Sequence, residues 1–331
     1  MTQREFAFCF FPVIMVAYIL PLADGRATLD VVGGKGASLA RLARAGLPVP
    51  DGFHVTTDAY KQFIAANDLQ PRLLAALAAV AVSQPTTLAT AARAIYDLFA
   101  RAPMPHNIAD AIARAYLKLP GAAPAVAVRS SATAEDLPGL SFAGQQETFL
   151  NITGVAAVQD AVKRDWASLW TARAIGYRAQ HQIDHRTVAL AVVVQLLVDA
   201  DAAGIMFTAH PVTGARDQVI IEAAWGLGEA IVGGRVTPDT LSADKATGRV
   251  LARETADKTV MTVRVEGGTA ERPVPAHLRR ASVLDDARAA ELARFGARIE
   301  RLAEMPMDIE WTLAENEFAI VQARPITALP G

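Results

Sequence analysis

The sequence predicts an α+β protein built of two or more lobes. Its 331 residues exceed what one compact core holds, and 52% of them are hydrophobic, enough for a sizeable interior. Alanine- and leucine-rich helical stretches alternate with short strand-like runs, and no internal repeat orders them. Proline-rich joints fall near residues 103 and 273.

The elements follow in order. VAYILPL (Val16–Leu22) reads as a first strand. VVGGKGASLARLARAGLPVP (Val31–Pro50) reads as a Gly-rich turn and a short helix, with Ser38 as its N-cap and Gly46 and Pro48 as its stop. Thr57 is the expected cap of the next helix. Residues 71–118 divide into two or three helices at Ser83–Pro85 and Pro103–Pro105. Ala125–Val128 is a buried strand, and Ala156–Gln180 one long helix with Val158, Val162, Trp166, Leu169 and Trp170 on one side. Strands follow at Val188–Val198, Gly204–Thr208 and Val219–Ala223. Leu241–Leu251 forms a hairpin turning near Gly248, Ala287–Arg301 a helix, and Asp308–Leu313 with Phe318–Ala323 a last hairpin.

Composition narrows the function classes. A net charge of −2 offers no field for nucleic acid or a membrane surface. The single cysteine, Cys9, excludes an internal disulfide framework and fits the cytoplasm. No CxxC or His/Cys cluster suggests zinc. FAFCFFPVIMVAYILPL (Phe6–Leu22) resembles a signal peptide, but Pro12 and Pro21 interrupt it and it is short for a membrane span. The expectation is that residues 1–14 are an extension upstream of a start at Met15. The main unit is then 15–331, with one lobe at about 15–200 and another at about 201–331.

Three Gly-rich segments stand out, the second of which alone reads equally as a helix cap with a surface lysine, and the third as a helix entry. VRSSATAEDLPGLSFAGQQETFLN (Val128–Asn151) follows an apolar strand with Gly144, several hydroxyls and the fork of Arg129. That composition fits a phosphate cradle, and equally a solvated loop with turns at Asp136, Pro138 and Gly139. GGKGAS (Gly33–Ser38) places Lys35 near a helix N-terminus without the spacing of a Walker A loop. GLGEAIVGG (Gly226–Gly234) opens a helix with Glu229 in its first turn. His181 and His185 have i, i+4 spacing but end an Arg- and Gln-rich helix, as a solvated face does.

The last hairpin is more specific. A three-residue loop at Glu315–Asn316–Glu317 pairs Glu310 with Gln322 and Asp308 with Arg324. Side-chain alternation then puts those four on one face, with Ile309, Trp311, Leu313, Ala319, Val321 and Ala323 on the other. Carboxylate and amide oxygens suit Mg²⁺, and the guanidinium suits phosphate. A salt-bridged exposed face is the alternative.

Taken together, GGKGASL, the 128–151 segment, MFTAHPVTG, AWGLGEA and MDIEW…FAIVQARPIT resemble the ATP-binding domain of the phosphoenolpyruvate-utilising dikinases, the group of phosphoenolpyruvate synthase, pyruvate phosphate dikinase and rifampicin phosphotransferase. The likeness runs from about Val16 to Ile326 and implies an ATP-grasp-like fold with nucleotide between two lobes. It implies that Lys35 and Arg129 contact phosphates, that Gly144 and Thr148 belong to the loop over the triphosphate, and that Gln195 lies at the adenine edge. Glu310 and Gln322 would hold Mg²⁺ and Arg324 a phosphate, with Arg129 and Arg324 catalytic.

Two departures qualify the likeness. His210 stands in FTAHPVTG where the family usually has Asp. The family also relays phosphate through a histidine on a swivelling domain, and no histidine of this sequence lies in the small-residue Thr-His context of that domain. The function expected is that of a dikinase's ATP-binding domain or subunit. It would give the β-phosphate of Mg-ATP to a phosphohistidine partner in trans, leaving AMP and phosphate, with pyruvate or a rifamycin-like molecule as final acceptor. The alternative is a non-catalytic, nucleotide-binding regulatory remnant.

Overall fold

The computed structural model describes residues 17–133, 148–326 and 329. In chain order the elements are β1 (Ile19–Pro21), α1 (Leu29–Arg44), β2 (Gly52–Val55), α2 (Thr57–Ala66), α3 (Leu69–Leu77), α4 (Pro85–Arg101), α5 (His106–Tyr116), β3 (Val126–Ala132), β4 (Thr148–Ile152), α6 (Val155–Ser168), α7 (Ala172–Gln180) and β5 (Leu190–Leu196). There follow β6 (Ala202–Phe207), β7 (Gln218–Trp225), α8 (Glu229–Val232), β8 (Asp239–Asp244), β9 (Val250–Glu254), β10 (Val260–Val265), β11 (Gly268–Pro273), α9 (Asp286–Ala303), β12 (Met307–Ala314) and β13 (Glu317–Pro325). The mixed α/β composition expected from the sequence is present.

The first sheet has the order β1-β2-β5-β3-β4, the second β13-β12-β6-β7-β8-β9, and β10 pairs with β11. β5 shows why its sequence is apolar without a break. Val192 and Val194 enter a large core with Phe63, Phe99 and Trp166, whereas Val193 packs with Leu22 and Leu39 under α1. Both faces are covered, so no position of the strand tolerates a polar residue until Gln195. In the large core Phe63 and Trp166 rings lie 5.0 Å apart, and the Trp170 indole N–H donates to Tyr60 Oη at 3.1 Å.

The second core gathers Met206, Leu241, Leu292, Ile309, Trp311 and Phe318 between the second sheet and α9. Leu42 and Leu47, from the end of α1 and the turn after it, belong to this core and not to the first. The connection is hydrogen-bonded as well. Ser38 Oγ donates to Ala323 O at 2.7 Å, Ile320 N to Pro48 O at 2.7 Å, and Arg298 to Ala45 O. Beneath β8, Lys258 and Asp239 form an ion pair with no exposed side-chain surface, and Asp239 also accepts from Ala256 N and Val283 N at 2.9 Å.

Five local expectations are corrected. Ser38 is inside α1, which begins after Thr28. The helix kinks at Gly33, whose φ of 71° and ψ of 176° let helical hydrogen bonding continue on either side. Thr56, not Thr57, caps α2, its hydroxyl accepting from Ala59 N. The long helix is two, because Thr171 caps α7 by accepting from Ala174 N at 3.2 Å. The last hairpin turns through two residues, Glu315 and Asn316, with Ala314 opposite Glu317. Finally, a β-bulge at Val321 takes that residue off the apolar face, where Ile320 and Phe318 stand instead.

Candidate functional site

A cleft of about 600 Å³ opens where the two sheets approach one another. Lys35, Arg129, Thr148, Gln195, Glu310, Gln322 and Arg324 all line it. Gly144, the eighth residue singled out in the sequence, lies outside the described residues. Two other cavities of similar volume, beside Lys245 and Glu300 and beside Arg114 and Lys118, contain none of the seven.

The first sheet supplies one wall through alternation. Arg129 and Ala127 on β3 share a face with Thr148 on β4 and Gln195 on β5, since Arg129 pairs with Thr148 and Ala127 with Gln195. α1 brings in Lys35 from the side. Its glycine-rich segment is sewn to β3: Gly36 N donates to Ser131 Oγ at 3.0 Å, and that hydroxyl donates to Val32 O at 2.7 Å. A Cβ at Gly33 would lie 2.2 Å from Ser131 O, so this approach needs glycine. Lys35 Nζ reaches Ser130 O at 3.4 Å, and Gln195 Nε2 donates to Pro50 O at 3.3 Å.

The second sheet supplies the other wall. Glu310 stands opposite Gln322 and Asp308 opposite Arg324. The bulge restores this pairing: Trp311 faces Ile320, and the extra residue, Val321, shifts the ladder by one before Glu310. The Arg324 guanidinium holds Asp308 through two bonds of 2.9 Å. Burial nevertheless raises the Asp308 carboxyl above the usual range, against the pull of Arg324, and Glu310 adds to the rise. Glu222 on β7 is raised by burial and by Asp308. Arg129 crosses between the walls, donating from Nη1 to Val321 O at 2.8 Å. Burial lowers its pKa and Glu310 counters that.

Several residues of the site escaped the sequence reading. Leu150, Leu196, Leu227 and Trp311 line the cleft, but an apolar residue in a strand carries no mark that separates a cleft from a core. Arg235 at the cleft mouth is tied to Glu229 at 3.2 Å and Glu271 at 3.0 Å, and Thr269 Oγ1 donates to Glu229 at 2.9 Å. Glu271 and Thr269 belong to β11, a strand the sequence reading passed over. His210 keeps the loop it stands in closed: its Nδ1 accepts from Val212 N at 3.2 Å and Thr213 N at 3.4 Å, as a carboxylate oxygen would. His185 accepts from Arg178 Nε at 3.0 Å and His181 stacks on Tyr177, both away from the cleft.

Among the described residues, no three His, Cys, Asp or Glu side chains group closely enough to hold a metal by themselves. Glu310 and Gln322 fit a different demand. They offer two hard oxygen donors side by side, the number Mg²⁺ takes from protein when polyphosphate oxygens and water complete its octahedron. Four cationic side chains, Arg235 among them at the mouth, an apolar wall and this donor pair together suit a metal-chelated polyphosphate carrying a flat apolar group.

The family described as pyruvate phosphate dikinase, AMP/ATP-binding domain, matches residues 29–330. The chain is similar to a probable phosphoenolpyruvate synthase of Methanothermobacter thermautotrophicus, 44% identical over 95% of this chain and 47% of that protein. It is similar to the probable phosphoenolpyruvate synthase of Methanocaldococcus jannaschii, 46% identical over 91% of this chain and 26% of that protein. A rifampicin phosphotransferase of Streptomyces sviceus is 44% identical over 94% of this chain and 36% of its own length. The chain thus spans less than half the length of these curated relatives.

Proposed function

The chain belongs to the pyruvate phosphate dikinase AMP/ATP-binding domain family, and from that premise we propose that its cleft binds Mg-ATP and presents the β-phosphate to a histidine of a phosphohistidine-carrying partner in trans. The observation that carries this reading is the convergence of Lys35, Arg129, Thr148, Gln195, Glu310, Gln322 and Arg324 on one cleft from six separate elements. Pyruvate or a rifamycin-like hydroxyl is the final acceptor, reached through that partner; the likeness to a probable phosphoenolpyruvate synthase and to a rifampicin phosphotransferase supports this pair.

In this reading Gln195 and the apolar wall orient the base. Lys35, Arg129 and Arg324 neutralise phosphate oxygens. Bound Mg²⁺, held by Glu310 and Gln322, supplies further charge neutralisation. The β-phosphoryl group passes to an imidazole nitrogen, AMP departs, and the γ-phosphate leaves as orthophosphate after hydrolysis. Positioning and electrostatics carry such a transfer, since phosphoryl groups need little covalent help from protein. The wall contributes by excluding water around the transferring group.

Calorimetry with ATP and Mg²⁺ tests the assignment. Wild type binds; Glu310→Ala and Arg129→Ala bind at least about tenfold more weakly, since the first removes a Mg²⁺ ligand and the second a cationic partner of the triphosphate. Equal affinity in all three removes the site. Incubation with a phosphohistidine-domain protein should yield AMP, and a wild type that binds ATP yet yields none removes the transfer step.

A further inference from the structure

We infer that the β-bulge at Val321 is a working part of the nucleotide site, its side chain forming the apolar floor beneath the base–ribose half and its carbonyl fixing the guanidinium of Arg129. This rests on the nucleotide reading above and adds a residue to it. A bulge sets two residues against one, and here Val321 and Gln322 together oppose Glu310. Without the bulge, Val321 would take its turn on the core face. With it, Val321 leaves the core cluster and lines the cleft, 9% exposed, beside Gln322.

The position along the hairpin decides which part of a ligand it meets. The cleft face of β12 runs Asp308, Glu310, Thr312. Arg324 and Gln322 stand opposite the first two. Val321 comes next, toward Thr312, and shares the cleft with Gln195 and Leu196 at the end of β5. It therefore lies on the base side of the metal-binding pair, and phosphate lies on the other.

The backbone has its own role. The extra residue of a bulge drops out of the ladder, leaving a carbonyl that must find another donor. Arg129 supplies it at 2.8 Å, from the opposite sheet. Only a ladder interrupted at this point offers that acceptor, so the bulge orients the one guanidinium that reaches across the cleft from β3.

Three variants test this with ATP and with inorganic tripolyphosphate, each with Mg²⁺. Val321→Ala and Val321→Thr remove the apolar floor and keep the bulge. They should weaken ATP by about five- to tenfold, the loss expected for one or two buried methyl groups, and leave tripolyphosphate binding unchanged. Deletion of Val321 keeps Glu310 opposite Gln322 and Trp311 opposite Ile320 in an unbroken ladder. It should weaken both ligands, because Arg129 loses its anchor. If the deletion variant melts early, the two substitutions still decide the side-chain half, and Arg129→Lys, which cannot span to the carbonyl as a fork, decides the other by weakening tripolyphosphate. Wild-type affinity for ATP in Val321→Ala and Val321→Thr overturns the inference and leaves the nucleotide reading standing. Failure of the wild type to bind ATP overturns that reading, and this inference with it.

Discussion

His54 is wholly buried beneath the glycine-rich segment, its Nε2 3.0 Å from Leu22 O. Burial pushes its pKa down to about 4, against the hydrogen bond its ring makes to Leu22 O and the charge of Asp24. An unfolded chain protonates this ring near pH 6.5. Between those values the unfolded state holds a proton that the native state refuses, so stability rises with pH. The contribution is complete above about pH 6.5 and lost as pH falls toward about 4, on the order of 3 kcal/mol in all. Wild type should therefore lose melting temperature across that window more steeply than His54→Asn; parallel curves would sink the assignment. Glu222 runs the other way. Its carboxyl is raised by burial and Asp308, so the native state keeps the proton longer and stability falls as pH climbs out of the ordinary carboxylate range. Glu222→Gln should melt higher than wild type at pH 7.5, with the gap closing near pH 4. Neither residue was legible from sequence, because the pKa of each is set by neighbours far along the chain.

The last hairpin shows how element-level reading succeeds and fails. The pairing of Glu310 with Gln322 is present, yet the three-residue loop assumed in deriving it is not. The turn is one residue shorter and the bulge is one residue longer, so two displacements cancel beyond Glu310. Turn length was not readable because Glu315 and Asn316 both adopt left-handed backbone, at φ of 48° and 72°, without a glycine to announce it. Glu315→Asn should relieve part of that strain and raise stability by about 1 kcal/mol, seen in chemical denaturation. With the proposed Mg²⁺ shared between them, Glu310 and Gln322 should couple in a double-mutant cycle on Mg-ATP affinity by about 0.5–3 kcal/mol; additive losses would separate them. Other elements hid for plain reasons. β10 (VMTVRV) lacks clean alternation and β11 (GTAERP) is polar, and both are largely half-exposed. The break between α6 and α7 has no proline or glycine, only Thr171 as a cap. The helices divided at Pro85 and at Pro103–Pro105 were readable because proline has no N–H to donate.

Across the whole molecule, α1 and the turn after it tie the outer face of the first sheet, through Leu39 and Val193, to the second core, through Leu42 and Leu47. Ser38→Ala removes the bond to Ala323 O and should cost about 0.5–1.5 kcal/mol, read as an earlier melt with the secondary structure intact. The α+β character was legible from the mixed periodicity, and the cleft residues from their motifs. The bridging role of α1 was not, because Leu39 and Leu42 look alike in a helix although one packs on the first sheet and the other enters the second core. That bridging also governs the order of assembly during synthesis. The bond from Ser38 to Ala323 closes a separation of 285 residues. A ribosome delivers Leu42 and Leu47 early, but Trp311, Phe318 and Ile320 of the same core follow only after the whole of the intervening chain. Closing so distant a contact is slow, and an apolar surface left waiting is open to aggregation. A nascent chain arrested before residue 307 should keep that end of α1 open to protease and to holdase chaperones, and emergence of the β12–β13 hairpin should protect it.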